Sequence, residues 1–369
     1  MTAPPDGSTD DVKLGVLRRY AGSEPGGRSV LLVAPSFFGY ESTIARALAH
    51  HSEVVFHLDE RASNSALVRA TYRIRPGLLA AVTRRHFRRA LAALSERTVD
   101  VVVVIKGEVT PAWFLRDVRR SNPDVRVVFY AYDPIAADDN YFALRPHVDR
   151  AYSFDAQDVA RLPELAYKPL FYGPAFSAGP SHAERRWDLA SVGTVNPERY
   201  EKTEAAAAAV DTSFRHMYTP SAALLAVKRL IDPEFGTIDP SRVTGVKLSQ
   251  HEVAEVFRQS RVVLDVQKAG QSGLTMRTLE AIASGASIVT WNEAVKNEDF
   301  YDPDRIAVVD PDGGGVQEAI LRVLMRPLDG SAPSGFERHS VSAWVSEFLD
   351  STTAPVSAEP RQSSDHEEN

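Results

Sequence analysis

Asp265–Gly285 reads DVQKAGQSGLTMRTLEAIASG: a strand end, a loop bearing Gly270 and Gly273, then a helix. Val262, Val263 and Leu264 form a short apolar run ahead of it, and Met276, Leu279, Ile282 and Ala283 recur at helical spacing after it. Such a loop aims free backbone N–H groups and the positive end of a helix at one point, which suits a phosphate. Arg277 sits in the first turn and Glu280 one turn later on the same face. An anion site with a cation and a carboxylate beside it could hold a nucleotide diphosphate and its ribose. The plainer reading is a βα unit of a parallel sheet whose glycines only make the turn, and a short glycine motif alone does not choose between the two.

Composition sets the frame. A chain of 369 residues is long enough for about two domains, and 44% hydrophobic with 25% charged residues is ordinary globular usage. The 42 Lys and Arg against 49 Asp and Glu give a formal charge of −7, which argues against a general nucleic-acid partner. The absence of cysteine excludes disulfides, thiolate metal sites and cysteine nucleophiles. No apolar run approaches the roughly 20 residues of a membrane span. The first residues, MTAPPDGSTDD, carry neither a basic nor an apolar signal region. The expected location is the cytoplasm, with peripheral contact at the inner face of a membrane as the variant.

Outward from 265–285 the chain alternates strands and helices in two blocks. Ser29–Val33, Val54–Leu58, Asp100–Ile105, Arg126–Tyr132 and Arg150–Phe154 are apolar runs, as expected of strands buried in a parallel sheet. The first ends in Ala34-Pro35-Ser36-Phe37-Phe38-Gly39-Tyr40-Glu41, with a helix expected over 42–49. In a doubly wound sheet, ligands sit at such ends. Tyr40 and Glu41 put polar groups where a turn needs none. Later strands deliver Lys106 and Glu108, then Asp133, then Asp155, at their carboxyl ends. Together these charges suggest a lined cleft, although each alone suits a cap or an ion pair. Asp155, before Ala156-Gln157, has N-cap context, and Asp138-Asp139 reads as a helix start. Residues 72–94 read as an amphipathic helical region carrying Arg73, Arg75, Arg84, Arg85, Arg88 and Arg89, a solvated face or a contact for an acidic acceptor or an anionic membrane.

The segment 169–187, rich in Pro, Gly and Ser, marks the boundary between the blocks. The second block opens with Leu189–Val192, ending in Gly193-Thr194. Ser249 with Glu252 three residues on forms a capping box ahead of the helix that feeds the 262–264 run. The expected layout is a mobile tail over 1–27 with a short helix at 12–20, an α/β domain over 28–172, a linker over 173–187, a second α/β domain over 188–335, a helix over 336–350 and a mobile tail over 351–369.

Glu280-Ala281-Ile282-Ala283-Ser284-Gly285, preceded by Gly273-Leu274-Thr275, resembles the donor-site signature of retaining GT-B glycosyltransferases. The chain from 29 to 349 is similar to the bacterial CgeB-like glycosyltransferases. The order of Ser36-Phe37-Phe38-Gly39-Tyr40-Glu41, Val104-Ile105-Lys106-Gly107-Glu108, Tyr152-Ser153-Phe154-Asp155, Ser191-Val192-Gly193-Thr194 and Gly273–Glu280 carries the likeness. The resemblance implies an α/β GT-B fold: two facing Rossmann-like domains with parallel sheets and a C-terminal helix crossing back to the N-terminal domain. It implies a UDP- or GDP-linked sugar donor bound by Gly193, Thr194, Gln271, Ser272, Gly273, Leu274, Thr275, Arg277 and Glu280, the last on the ribose hydroxyls. Phe38, Gly39, Tyr40 and Lys106 are the implied acceptor side, with no metal and no other cofactor. Glu41, Glu108 and Asp133 are the candidate bases, with Asp155 behind them, and the sequence does not choose among them. The retaining signature has a second glutamate with seven residues between it and Glu280; Ser272 stands there, so the stereochemistry does not carry over.

Three functions follow as expectations. The first is glycosyl transfer to a cell-surface polysaccharide, a glycolipid or a small natural product. The second is sugar-nucleotide epimerisation. The third is a non-catalytic protein that binds a nucleotide sugar or serves a surface layer.

Overall fold

The apolar runs of the first block are strands. In the computed structural model, residues 12–65, 68, 71–72, 76–137, 139–267, 272–309, 315–326 and 328–350 are described. Gln271, Gly270, Asp138, Arg73 and Arg75 lie outside them. The chain divides into two units: residues 1–35, 48–168 and 346–369, and residues 36–47 and 169–345.

In the first unit β1 (Val12–Leu14), β2 (Leu17–Ala21), β3 (Ser29–Val33), β4 (Val54–Leu58), β5 (Val101–Ile105), β6 (Arg126–Ala131), β7 (Arg150–Ser153) and β8 (Leu165–Tyr167) form one sheet, ordered β1-β2-β4-β3-β5-β6-β7-β8. The six strands from β4 onward pair in parallel. All five residues of β5 are buried, which is why it reads as an unbroken VVVVI. Strand order reverses between β3 and β5, so their carboxyl ends flank the switch point of this sheet. Residues 12–21 correct the expectation of a tail and a short helix. They form an antiparallel hairpin, turning at Gly15 (φ 63°), whose second strand joins the edge of the sheet along β4.

Helices α1 (Tyr40–His50), α2 (Ala80–Leu94), α3 (Ala112–Ser121), α4 (Tyr141–Leu144) and α5 (Ala156–Arg161) follow in the chain. α2 buries the stripe Thr83, Phe87, Ala90 and Leu94, with Phe87 edge-on to Phe114 of α3 at 4.8 Å. Asp155 caps α5, as its context implies, by accepting from Gln157 N. The last residues of the chain's final helix close this core: Phe348 packs on Tyr152 and Tyr130, Lys168 pairs with Glu347, and Arg126 donates to the carbonyls of Phe348 and Asp350 at 2.6 Å.

The second unit holds β9 (Trp187–Thr194), β10 (Ser213–Tyr218), β11 (Val243–Thr244), β12 (Ser260–Asp265), β13 (Ser287–Thr290) and β14 (Ile306–Val308), all parallel, in the order β11-β10-β9-β12-β13-β14. Its helices are α6 (Pro197–Ala207), α7 (Ala222–Ile231), α8 (Pro233–Gly236), α9 (Gln250–Arg258), α10 (Met276–Ala283) and α11 (Val316–Leu324), and of α12 (Val341–Leu349) residues 341–345 cluster here and the rest with the first unit. Both halves of the Ser249–Glu252 capping box are made at the start of α9. Here the strand order reverses between β9 and β12, which places Gly193-Thr194 and Asp265 at the switch point.

Two devices hold the helix ends beneath this point. Gly285 ends α10 at φ 68°, and a Cβ there would lie 1.8 Å from the Gly330 carbonyl oxygen, so no other residue fits. Arg185 donates to the carbonyls of Pro180, Phe257, Ser260 and Ser284, satisfying acceptors at the carboxyl ends of α9 and α10. The stretch 169–186 thus folds onto the second unit.

Candidate functional site

Asp265, the last residue of β12, is fully buried. A charge there must be compensated, and four donor contacts converge on it. Thr275 Oγ1 lies 2.9 Å from each carboxylate oxygen, Thr278 Oγ1 lies 2.6 Å from Oδ2, and Arg277 Nη1 lies 3.5 Å from Oδ1. All three donors come from the start of α10, so the strand end grips the helix N-terminus. On the other side Asn292, just past β13, donates to the carbonyls of Ser272 at 3.1 Å and Gly273 at 3.2 Å. The loop into α10 is held from both neighbouring strands.

A cavity of about 320 Å³ opens over this N-terminus. Arg277 and Arg199 both line it. Arg199 belongs to the first turn of α6, which starts with Asn196 as N-cap and Pro197 at N1. Its guanidinium donates to Thr194 O, at the end of β9, and, at 2.7 Å, to Val266 O, just past β12. A Cβ on Gly193 would meet the Arg199 side chain at 3.1 Å, so a glycine there leaves the guanidinium its room. Burial pushes the Arg199 pKa down to about 10, and repulsion from Arg277 adds to this. The group still carries its charge at neutral pH. Arg277 pairs with Asp265 while Arg199 donates to backbone carbonyls, so beside the helix N-terminus this wall presents positive charge.

Glu280 lies one turn into α10 and is 4% exposed. Burial pushes its pKa up to about 7, against the opposing effects of the Tyr40 hydroxyl and Arg277. Tyr40 Oη donates to Glu280 Oε1 at 2.5 Å. The segment 36–47 clusters with this unit. Phe38, at φ 54°, stacks under Lys247 Nζ at 4.4 Å, and its carbonyl accepts from Gln250 at 3.4 Å. His216 and Tyr218 of β10, with Val192 of β9 and Leu248 and Val253 near α9, complete the walls.

The cavity therefore brings together Gly193, Thr194, Thr275, Arg277 and Glu280 of the expected donor residues, and Phe38 and Tyr40 of the expected acceptor residues. Leu274 is buried and absent from the walls, and Ser272 and Gly273 present their carbonyls to Asn292. Gln271 lies outside the described residues. Glu41 turns back on its own loop, accepting from Phe37 N at 3.0 Å. Gly39 approaches Gln250. Arg199, Asp265 and Asn292 are the residues that sequence reading passed over.

Lys106, Glu108 and Asp133 belong to the first unit, where they form one charged cluster. Lys106, at φ 72°, lies 2.7 Å from Asp133 and 3.8 Å from Glu108, which also pairs with Arg61. Beneath them sits Glu60, which the sequence did not single out. It is fully buried, and its Oε2 accepts from Val109 N at 3.2 Å and Thr110 Oγ1 at 3.1 Å.

Burial, opposed by the Val109 hydrogen bond and Arg61, raises the Glu60 pKa from 4.5 to about 7. Between those values the folded state keeps a proton that the unfolded chain loses, so stability falls as pH rises through that window. Glu60→Gln is expected to unfold like the parent near pH 4 and to be more stable near pH 8 by up to about 3 kcal/mol. Urea titrations at both pH values check this, and equal differences at the two would refute it.

Among the described residues no helix is long and apolar enough to cross a membrane.

Comparison with known proteins agrees with this architecture. Residues 227–334 match a family model described as glycosyl transferase-like. No match was found among curated proteins. Among solved structures, HepE from Anabaena, in complex with UDP and glucose, aligns over 87% of this chain and 99% of its own, at 10% identity and TM-score 0.54. AviGT4, a glycosyltransferase involved in avilamycin A biosynthesis, aligns over 87% and 96%, at 15% identity and TM-score 0.55. An α,α-trehalose-phosphate synthase (UDP-forming) from Burkholderia xenovorans, in complex with glucose-6-phosphate, aligns over 88% and 99%, at 16% identity and TM-score 0.52. The chain has the GT-B fold, and its residues 227–334 are glycosyl transferase-like.

Proposed function

We propose that the protein is a nucleotide-sugar-dependent glycosyltransferase whose second unit binds the donor. The observation that carries this reading is the pairing of Arg199 and Arg277 on one cavity at the N-terminus of α10, with the buried Glu280 one turn along the same helix. A sugar nucleotide needs groups for its two phosphates and its ribose. Two guanidiniums and a helix N-terminus supply the first, and a carboxylate that can accept from a diol supplies the second. UDP in the HepE complex, and the UDP-forming synthase, support a uridine donor, with a guanosine donor as the alternative.

Glycosyl transfer breaks the bond between the anomeric carbon and the β-phosphate oxygen, and charge builds on the departing diphosphate. Fixed guanidiniums and the helix dipole stabilise that charge without reorganising, so the residues present can act without a metal. The acceptor hydroxyl loses its proton as the new bond forms. Glu108, Asp133 and Glu41 are the candidate bases, and Lys106, Gly39 and the ring of Phe38 are candidate acceptor contacts. The acceptor is proposed as a glycan, a glycolipid or a small natural product.

The test is a panel of UDP- and GDP-linked sugars, read first by thermal shift and then by nucleotide release with and without acceptors. Release of nucleoside diphosphate with a glycosylated product supports the proposal. Donor isomerisation without release points to an epimerase, and saturable binding without turnover to a non-catalytic protein. A panel in which no nucleotide sugar or nucleoside diphosphate raises the unfolding temperature overturns the site itself.

A further inference from the structure

Residues 61–95 contain no aspartate or glutamate, in a chain whose formal charge is −7. The same stretch holds arginines at 61, 69, 73, 75, 84, 85, 88 and 89 and no lysine. On α2 the four arginines at 84, 85, 88 and 89 are exposed, and none of them has an ion-pair partner among the described residues. They flank a shallow floor made by Ala81 and Ala92, opposite the buried Phe87–Leu94 stripe. Two aliphatic side chains are exposed beside them: Leu78, in the preceding 3₁₀ turn 76–79, is 71% exposed, and Val82, in the first turn of α2, is 49% exposed.

A solvated helix face normally mixes both signs of charge, and repulsion among like charges three and four residues apart costs helix stability. An unbroken arginine face is better matched to a partner dense in phosphate, where the planar fork binds two oxygens at once. Leu78 and Val82 then select among such partners. Nucleic acid offers them nothing, and the face lacks the aromatic platforms that stack bases. A bilayer accepts both features, with aliphatic side chains at the acyl boundary and arginines among the headgroups.

We propose that the outer face of residues 76–92 docks on an anionic phospholipid surface, with Leu78 and Val82 entering the headgroup–acyl boundary and Arg84, Arg85, Arg88 and Arg89 contacting phosphates. This inference is independent of the donor reading, because no residue in it lines the donor cavity.

The experiment is co-sedimentation of the full-length protein with vesicles of phosphatidylcholine alone and of phosphatidylcholine mixed with phosphatidylglycerol. Binding is expected only to the mixed vesicles and is expected to weaken as salt rises. Each arginine near such a surface contributes about fivefold, so Arg85→Gln/Arg89→Gln is expected to weaken partitioning by about 25-fold. Leu78→Ser/Val82→Ser, which removes the aliphatic groups and leaves the charge of the face unchanged, is expected to weaken it while leaving binding to a DNA duplex unchanged. Thermal unfolding of both variants at the parent temperature verifies the fold, since all four positions are exposed. Absence of binding to mixed vesicles at low salt would overturn the proposal. So would mixed-vesicle binding untouched by both double substitutions, or an aliphatic variant that binds vesicles as the parent does, which would mark the face as a general polyanion contact.

Discussion

Arg277→Ala is expected to raise the Kd for UDP or GDP by roughly 10- to 100-fold, since a charge-assisted hydrogen bond contributes on the order of 1.5–3 kcal/mol. Arg277 reaches the cavity with its side chain 20% exposed and spends part of its charge on Asp265 at 3.5 Å. Arg199→Ala is expected to weaken binding at least as much, because this guanidinium has no carboxylate hydrogen bond to satisfy among the described residues and burial, which lowers its pKa, leaves little water to replace it on a phosphate. It also bonds Thr194 O and Val266 O, so alanine leaves two carbonyls short of a donor and lowers stability. Arg199→Lys separates the two effects: it keeps the charge and loses the fork, and is expected to bind more weakly than the parent but better than alanine. Calorimetry with the nucleoside diphosphate and with the bare nucleoside checks the assignment. The arginine variants should lose affinity for the diphosphate and keep it for the nucleoside. Equal diphosphate affinities in parent and variants would remove both residues from the phosphate site.

The central strands β3 to β7, β9 and β12 were legible because a parallel sheet buries both faces, leaving runs such as VVVVI that periodicity cannot mistake for surface, whereas the short edge strands β8 and β11 carry no such run. The helix after the loop was legible from its 3.6-residue repeat, and the caps at Asp155 and Ser249 from side-chain chemistry that acts within three residues. What escaped were consequences of chain closure. Arg199 sits in PERYEK, which locally reads as an ordinary polar helix start. Only the pairing of β9 with β12, strands far apart in the chain, sets its guanidinium against the carbonyl after Asp265. The signal that could have found it was Gly193-Thr194 followed by Asn196-Pro197, a second strand–cap–helix unit like the one at 265–276. Asp265 stood inside the quoted stretch but read as a strand end, because its role depends on Thr275, Thr278 and Arg277 converging from the next helix. The 12–21 hairpin escaped because its strands are short, half-exposed and set in Pro- and Gly-rich surroundings.

The charged cluster of the first unit shows the same division. Lys106, Glu108 and Asp133 were legible as charges at strand ends, since polar residues abruptly follow apolar runs. Their pairing was not, nor was the buried Glu60 beneath them, whose only local signal is a short acidic and basic run, Asp59-Glu60-Arg61. A carboxyl at the foot of a charged cluster is invisible to pattern reading because nothing in the pattern distinguishes buried from solvated acid.

Glu280 provides the second large effect, through pH. Burial favours the neutral acid and pushes its pKa up to about 7, while the Tyr40 hydroxyl and Arg277 favour the anion. A ribose diol donating to the carboxylate also favours the anion, so bound ligand lowers this pKa and binding expels a proton. Affinity is therefore expected to rise with pH and level off above about 7, and to fall by up to tenfold per unit below it. The diphosphate's own ionisation tilts the profile the same way, so the diagnostic quantity is the difference between parent and Glu280→Gln, whose amide does not titrate. Calorimetry near pH 6.5 in two buffers of different ionisation enthalpy counts the protons directly, and the parent is expected to release more than the variant by a fraction of one proton. Tyr40→Phe sharpens the test. Removing the hydroxyl that donates to Oε1 at 2.5 Å withdraws support from the anion, so the parent profile should move to higher pH rather than flatten. Parallel profiles for parent and Glu280→Gln would place the ribose elsewhere in the cavity and leave the Tyr40–Glu280 bond as a purely structural contact.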